Sequence, residues 1–132
     1  MATVLVVDDQ MELRTLFQRV LEHGGHRVVA VAGGEEALRS TDTWKPDVIL
    51  LDMAMPDMDG LAFLRAIRGR DGWQSVPVIV LSGMLTPQQI AAAGELNVCD
   101  YLVKGQFTTR ELRARIARHL IPIPPSSKCS AA

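Results

Sequence analysis

Two kinds of segment alternate along the chain. One kind is a short, continuous apolar run rich in β-branched residues. Thr3-Val4-Leu5-Val6-Val7, Val28-Val29-Ala30-Val31, Asp47-Val48-Ile49-Leu50-Leu51 and Val76-Pro77-Val78-Ile79-Val80-Leu81 are four of these, and Asp100-Tyr101-Leu102-Val103 is a weaker fifth. Unbroken apolar runs predict strands covered on both faces, as in a parallel sheet. The other kind carries apolar residues at three- and four-residue spacing. Leu13, Leu16, Phe17, Val20 and Leu21 draw one helical stripe, stopped at Gly24-Gly25. Gly34 to Ser40 is a short second helix. Leu61, Leu64, Ile67 and Arg68 mark a third, with Asp59 as its N-cap. Thr86-Pro87 opens a fourth that runs through Ile90 to Ala93 and stops at Gly94. Thr108 to Glu111 has the form of a capping box and opens a fifth helix, with Leu112, Ile116 and Leu120 on its buried side.

The order is therefore strand–helix, five times over. That predicts an α/β fold: a parallel sheet with helices on both faces and right-handed crossovers. Ligands in such sheets bind beyond the C-terminal strand ends, where the strand order reverses. The chain of 132 residues is 48% hydrophobic and 22% charged, the balance of one ordinary globular domain. From this length no sizeable second output module is expected. Residues 2–120 form the expected domain, and 121–132 read as a Pro/Ser-rich tail or linker stub. The 14 basic and 15 acidic residues give a net charge of −1, which argues against nucleic acid or a membrane surface as the main partner. Two cysteines, Cys99 and Cys129, make no disulfide framework. With no signal peptide or apolar span, a cytoplasmic setting is the expectation.

The first polar residues after the runs carry the chemistry. The first run ends in Asp8-Asp9, the third in Asp52, the fourth in Ser82-Gly83 and the fifth in Lys104-Gly105. If the first and third strands are neighbours, three carboxylates meet in one crevice. Like charges that close repel and raise one another's pKa. A hard divalent cation resolves the conflict, and Mg²⁺ (Mn²⁺ as the alternative) takes carboxylate oxygens and waters in an octahedron. A hydroxyl and an ammonium beside it suit phosphoryl transfer to a carboxylate nucleophile. Each residue alone reads as an ordinary turn or surface residue. Their joint placement does not.

These pieces together resemble a response-regulator receiver domain of two-component signalling, with the chemotaxis-regulator fold. The matching segments are Val6-Val7-Asp8-Asp9, Leu50 to Gly60 with its Asp52-Met53-Ala54-Met55-Pro56-Asp57-Met58-Asp59-Gly60 motif, Val80-Leu81-Ser82-Gly83, and Tyr101-Leu102-Val103-Lys104. Together they span almost the whole chain. The resemblance implies a flavodoxin-like, doubly wound three-layer sandwich with strand order 2-1-3-4-5. It implies that Asp52 accepts a phosphoryl group from a phosphohistidine of a sensor histidine kinase or histidine phosphotransfer protein. Asp9 then ligates Mg²⁺ directly, Asp8 through water, and Asp52 and the Ala54 carbonyl complete the protein's share. Ser82 and Lys104 meet the phosphoryl oxygens, and Tyr101 is the aromatic switch. Ala54 and Met84 occupy the positions that tune hydrolysis of the acyl phosphate. Neither can orient a water by hydrogen bonding, so a long-lived phosphorylated form is expected. Output passes to a downstream target protein or to an output domain, with no direct nucleic-acid contact and no membrane insertion. The domain is not a turnover enzyme, although it catalyses its own phosphorylation and dephosphorylation.

The sequence departs from the family at several positions, among them Ser82 in place of the commoner Thr. Gly105 follows the lysine where the family usually has a cis proline, so either a remodelled trans loop or a strained cis bond is expected. Gly83 stands where the family often has Ala, which would leave the site more open. A phosphorylation-independent pseudo-receiver that only binds proteins is the alternative function. A haloacid-dehalogenase-type hydrolase would need a second Asp where Ala54 stands, and a flavodoxin would place a hydroxyl- and glycine-rich loop where Asp8-Asp9 would repel its phosphate. Met53, Met55 and Met58 read as loop packing in preference to a metal site. His23 and His119 read as cations near helix C-termini. Arg110, Arg113, Arg115 and Arg118 read as a solvated basic face of the last helix.

Overall fold

Five parallel strands form one sheet in a computed structural model that describes residues 2–55, 58–83, 86–98 and 100–120. The elements are β1 (Thr3–Val7), α1 (Met11–His23), β2 (Arg27–Val31), α2 (Gly34–Ser40), β3 (Val48–Asp52), α3 (Gly60–Arg68), β4 (Val78–Ser82), α4 (Pro87–Glu95), β5 (Asp100–Val103) and α5 (Thr109–His119). The strand order is β2-β1-β3-β4-β5, as the resemblance implies. Met84 and residues 121–132 lie outside the described residues.

The period-two geometry of the strands sorts their apolar residues into two cores. Leu5, Val7, Ile49, Leu51, Val78 and Val80 face one way and pack with Ala37 of α2, Phe63, Leu64 and Ile67 of α3, and Ala93 of α4. Val4, Val6, Val48, Leu50, Ile79, Leu81 and Leu102 face the other way, against Phe17, Val20 and Leu21 of α1 and Leu112 and Ile116 of α5. Leu16 departs from the expected stripe. It is 45% exposed, because it falls outside the face that Leu13, Phe17, Val20 and Leu21 share.

The helix signals hold with instructive exceptions. Asp59 caps α3 by accepting from the Ala62 N–H at 2.8 Å. Thr86 caps α4 in a complete box with Gln89, with Pro87 in its first turn. Thr108 caps α5 through the Glu111 N–H at 3.0 Å, which is half of the expected box: the Glu111 side chain makes no return bond. Gly94 does not end α4. The helix runs through Glu95, and the left-handed residue is Asn97 at φ 65°. Val98 N–H then reaches the Ala93 carbonyl and Asn97 N–H that of Gly94, both at 3.0 Å, which is the Schellman closure. α1 closes the same way at Gly25, φ 91°. β4 begins at Val78, two residues later than the apolar run suggests. Even so, the Pro77 carbonyl already accepts from Ile49 N–H at 2.9 Å. The methionines pack as expected, Met53 over Gly60 and Met58 over Gly34.

The α5 face needs a correction. Arg115 is not a free surface charge: its half-buried guanidinium bonds the buried Asp100 carboxylate at the start of β5. His119 Nε2 meets the other oxygen of Asp100 at 2.6 Å. The four-residue spacing of Arg115 and His119 places both on one helical face, and that spacing was the available signal.

Candidate phosphoryl-transfer site

Register brings the polar strand ends together. Val7 pairs with Leu51, and Asp52 with Leu81, so the residues that follow β1 lie beside the end of β3. Ser82 pairs with Val103, which sets Lys104 one step beyond it. The Lys104 N–H donates to the Ser82 carbonyl at 2.8 Å. Carboxylate oxygens of Asp8, Asp9 and Asp52 all lie within 4.8 Å of one another. Asp8 and Asp52 are buried, whereas Asp9 is exposed.

The two buried carboxylates, Asp8 and Asp52, are each held from their own loop. Asp8 Oδ1 accepts from the Gln10 N–H at 2.9 Å, and its carbonyl accepts from Arg14 Nη1 at 2.9 Å. Asp52 Oδ1 accepts from the Ala54 N–H at 3.0 Å. The Lys104 ammonium completes the group. It lies 3.0 Å from Asp52 Oδ2, 3.3 Å from Asp8 Oδ2 and 3.1 Å from Gln10 Oε1. Gln10 was not anticipated. It follows the Asp8-Asp9 pair directly, but no pattern in the sequence ties it to Lys104.

Burial pushes the Asp52 carboxyl above the usual carboxylate range, and the Asp8 charge adds to this. The Ala54 N–H and the Lys104 ammonium pull it down without offsetting the rise. One ammonium therefore does not balance three carboxylates. Asp8 Oδ2 is moreover buried and makes no hydrogen bond, although the Lys104 charge is near. An all-oxygen, acidic donor set with an orphaned buried oxygen fits a hard divalent cation.

Lys104 reaches this position without a cis bond. There are no cis peptides among the described residues, and Gly105 adopts φ 80°. Gln106 N–H closes the turn onto the Val103 carbonyl at 3.0 Å. A turn with a left-handed third residue calls for glycine there. Of the two expectations for this junction, the remodelled trans loop is the one observed.

Ser82 is buried at the end of β4, and a Cβ added to the neighbouring Gly83 would meet nothing within 4 Å. Tyr101 is half-buried. Its hydroxyl donates to the carbonyls of Val98 at 3.2 Å and Ile90 at 3.4 Å, and burial raises its pKa. Ala54 is exposed at the mouth of the site. No helix among the described residues is long and apolar enough to cross a membrane.

Comparison with known proteins agrees with this geometry. The model of the response regulator receiver domain matches residues 4–117. The KDP operon transcriptional regulatory protein KdpE of Escherichia coli is 39% identical over 116 residues, which are 88% of this chain and 50% of that protein. The alkaline phosphatase synthesis transcriptional regulatory protein PhoP of Bacillus subtilis is 35% identical, over 86% of this chain and 46% of its own length. The chain thus spans about half the length of these relatives. Among solved structures, the chemotaxis protein CheY4 of Vibrio cholerae superposes with a TM-score of 0.85 at 31% identity, covering 91% of this chain and 99% of that one. The receiver domain of the sensor histidine kinase PA1611 from Pseudomonas aeruginosa, solved with a magnesium ion coordinated in its active-site cleft, has a TM-score of 0.80 at 30% identity and covers 90% and 97%. The chain belongs to the response regulator receiver domain family.

Proposed function

We propose that the protein is a phosphoacceptor switch of a two-component phosphorelay, with Asp52 as the residue that takes the phosphoryl group. The observation that carries this reading is the convergence of Asp8, Asp9 and Asp52 within 4.8 Å, with Lys104 placed directly on Asp52. An Asp52 oxygen attacks phosphorus, the N–P bond of a donor phosphohistidine breaks, and its electron pair returns to the imidazole. Asp8, Asp9, Asp52 and the Ala54 carbonyl would hold Mg²⁺, which when bound offsets the charge of the phosphoryl oxygens. Lys104 supplies the second positive charge from the opposite wall. The Ser82 hydroxyl donates a hydrogen bond to a phosphoryl oxygen. The Ala54 N–H keeps one Asp52 oxygen occupied and so favours attack by the other.

The donor is a sensor histidine kinase or a histidine phosphotransfer protein. Output is a protein surface, or an output domain of the kind implied by the transcriptional-regulator names of the relatives. The domain works as a switch, not as a turnover enzyme. Tyr101 bridges β5 to α4 through the Ile90 carbonyl, so a change at Ser82 and Lys104 has a short route to that face.

Acetyl phosphate or beryllofluoride, added with Mg²⁺, tests the assignment. Wild type should show a spectral or mobility change, and Asp52→Ala should show none. A response retained in Asp52→Ala rejects the site. No response in wild type to any phosphodonor favours the protein-binding pseudo-receiver.

A further inference from the structure

Lys104 is an ammonium on a flexible four-carbon stem. The glycine turn after it fixes the main chain but leaves the side chain to find its own restraints. Those restraints are two hydrogen bonds, to Asp52 Oδ2 at 3.0 Å and Gln10 Oε1 at 3.1 Å, and an ion pair with Asp8 Oδ2 at 3.3 Å. Two of them belong to carboxylates that face the cation site. Gln10 alone is neutral.

Gln10 is itself firmly placed. Its N–H is bonded to Asp8 Oδ1 at 2.9 Å, and its carbonyl accepts from Arg14 N–H at 3.0 Å. It occupies the N-cap of α1, where a polar side chain usually turns back to the first-turn N–H groups. Gln10 makes no such bond. Its amide is directed at Lys104 instead. An ammonium can only donate, so the amide oxygen must be the atom that faces it.

We propose that Gln10 is a positioning residue for Lys104, holding the ammonium in the pocket while Asp52 exchanges its ion pair for a phosphoryl group. This rests on the reading of Asp52 as phosphoacceptor. An Asp52 oxygen is consumed by the transfer, and Asp8 would help hold the cation. The Gln10 carbonyl keeps its charge and covalent state throughout. It therefore remains a fixed acceptor from which Lys104 can swing to the phosphoryl oxygens.

Two measurements decide the matter in Gln10→Ala and Gln10→Glu. The first is the ¹⁵N signal of the Lys104 ammonium in Mg²⁺-free, unphosphorylated protein. It should exchange slowly with water in wild type, broaden away in Gln10→Ala and return in Gln10→Glu, which restores an acceptor. The second is the maximal rate of phosphorylation by acetyl phosphate at saturating Mg²⁺. It should fall about three- to tenfold in Gln10→Ala, the scale of one typical solvent-exposed hydrogen bond, with a smaller change in the half-saturating donor concentration. Gln10 is exposed, so both variants should retain the wild-type fold. An unchanged ammonium signal in Gln10→Ala, or a maximal rate within about a factor of two of wild type, overturns the proposal. The ammonium measurement needs no phosphorylation. It judges the Gln10 contact even if wild type takes up no phosphoryl group, a result that would count against the Asp52 reading alone.

Discussion

Lys104 Nζ lies 3.0 Å from Asp52 Oδ2, yet Asp52 still titrates above the usual carboxylate range. Burial, with Asp52 only 2% exposed, outweighs the ammonium and the Ala54 N–H. A carboxyl whose folded pKa is raised stabilises the fold below its unfolded pKa, and that stability is lost as pH rises through the folded value. At neutral pH, without Mg²⁺, ionised Asp52 therefore costs stability. Asp52→Asn should raise the urea midpoint at pH 7 in metal-free buffer, and the gain should shrink toward pH 4. A midpoint lowered at pH 7 would contradict this.

A cation held by these carboxylates would compete with Lys104 for the same oxygens. Replacing Lys104 with Met should tighten Mg²⁺ binding by about tenfold, the scale of removing one nearby charge in a partly screened pocket. Asp8→Asn should weaken it. Mg²⁺ at 100 times its Kd should add about 2.7 kcal/mol to wild-type stability by mass action. Calorimetric titration and denaturation with and without Mg²⁺ measure all three effects.

At the far end of β5, Asp100 is held below the usual carboxylate range. Burial acts to raise it, but the His119 hydrogen bond and the charges of Arg115, His119 and Arg118 outweigh that. A depressed carboxyl contributes stability above its unfolded pKa, and this is lost as pH falls through the folded value. Asp100→Asn should cost about 2–3 kcal/mol at pH 7, less than a fully buried pair because Arg115 is partly solvated. The difference from wild type should narrow below about pH 4, as the unfolded and then the folded carboxyl protonates. Urea denaturation at several pH values reads this directly.

Three glycines near the site should answer differently to Ala. A Cβ on Gly60 would lie 2.8 Å from Met53 Cα and 2.6 Å from its Sδ. Gly60→Ala should therefore destabilise by about 2–3 kcal/mol and slow phosphorylation by displacing the Asp52 loop. A Cβ on Gly83 meets open space, so Gly83→Ala should leave the denaturation midpoint unchanged. Gly105→Ala should cost about 1–2 kcal/mol, because φ 80° is strained for any side chain.

Ala54 offers only a methyl group at the mouth of the site. Self-dephosphorylation with Mg²⁺ should be slow. Ala54→Asn combined with Met84→Glu should quicken it by about tenfold, by supplying groups that orient water. Loss of phosphate from wild type within seconds would end this reading.

Much of this was legible in the chain. Continuous runs such as Val48 to Leu51 declare buried parallel strands, and the polar residue closing each run then falls at the site by topology alone. Asp59, Thr86 and Thr108 announced their helices because capping is a local matter of a few residues. What escaped were contacts between side chains far apart in sequence. Gln10 and Lys104 lie 94 positions apart and Asp100 and His119 lie 19 apart, and no local pattern encodes either pair. Leu16 misled because a stripe five residues wide exceeds what one face can bury. Gly94 misled because Asn97 also tolerates the left-handed region.

The loop after Asp52 leads into α3, on one face of the sheet, and the loop after Lys104 leads into α5, on the other. A single ion pair thus joins the lines that feed both outer layers. A disturbance at that pair has no need to percolate through the apolar interior to be felt on two sides. It starts at the seam, and the upper and lower surfaces hear it together.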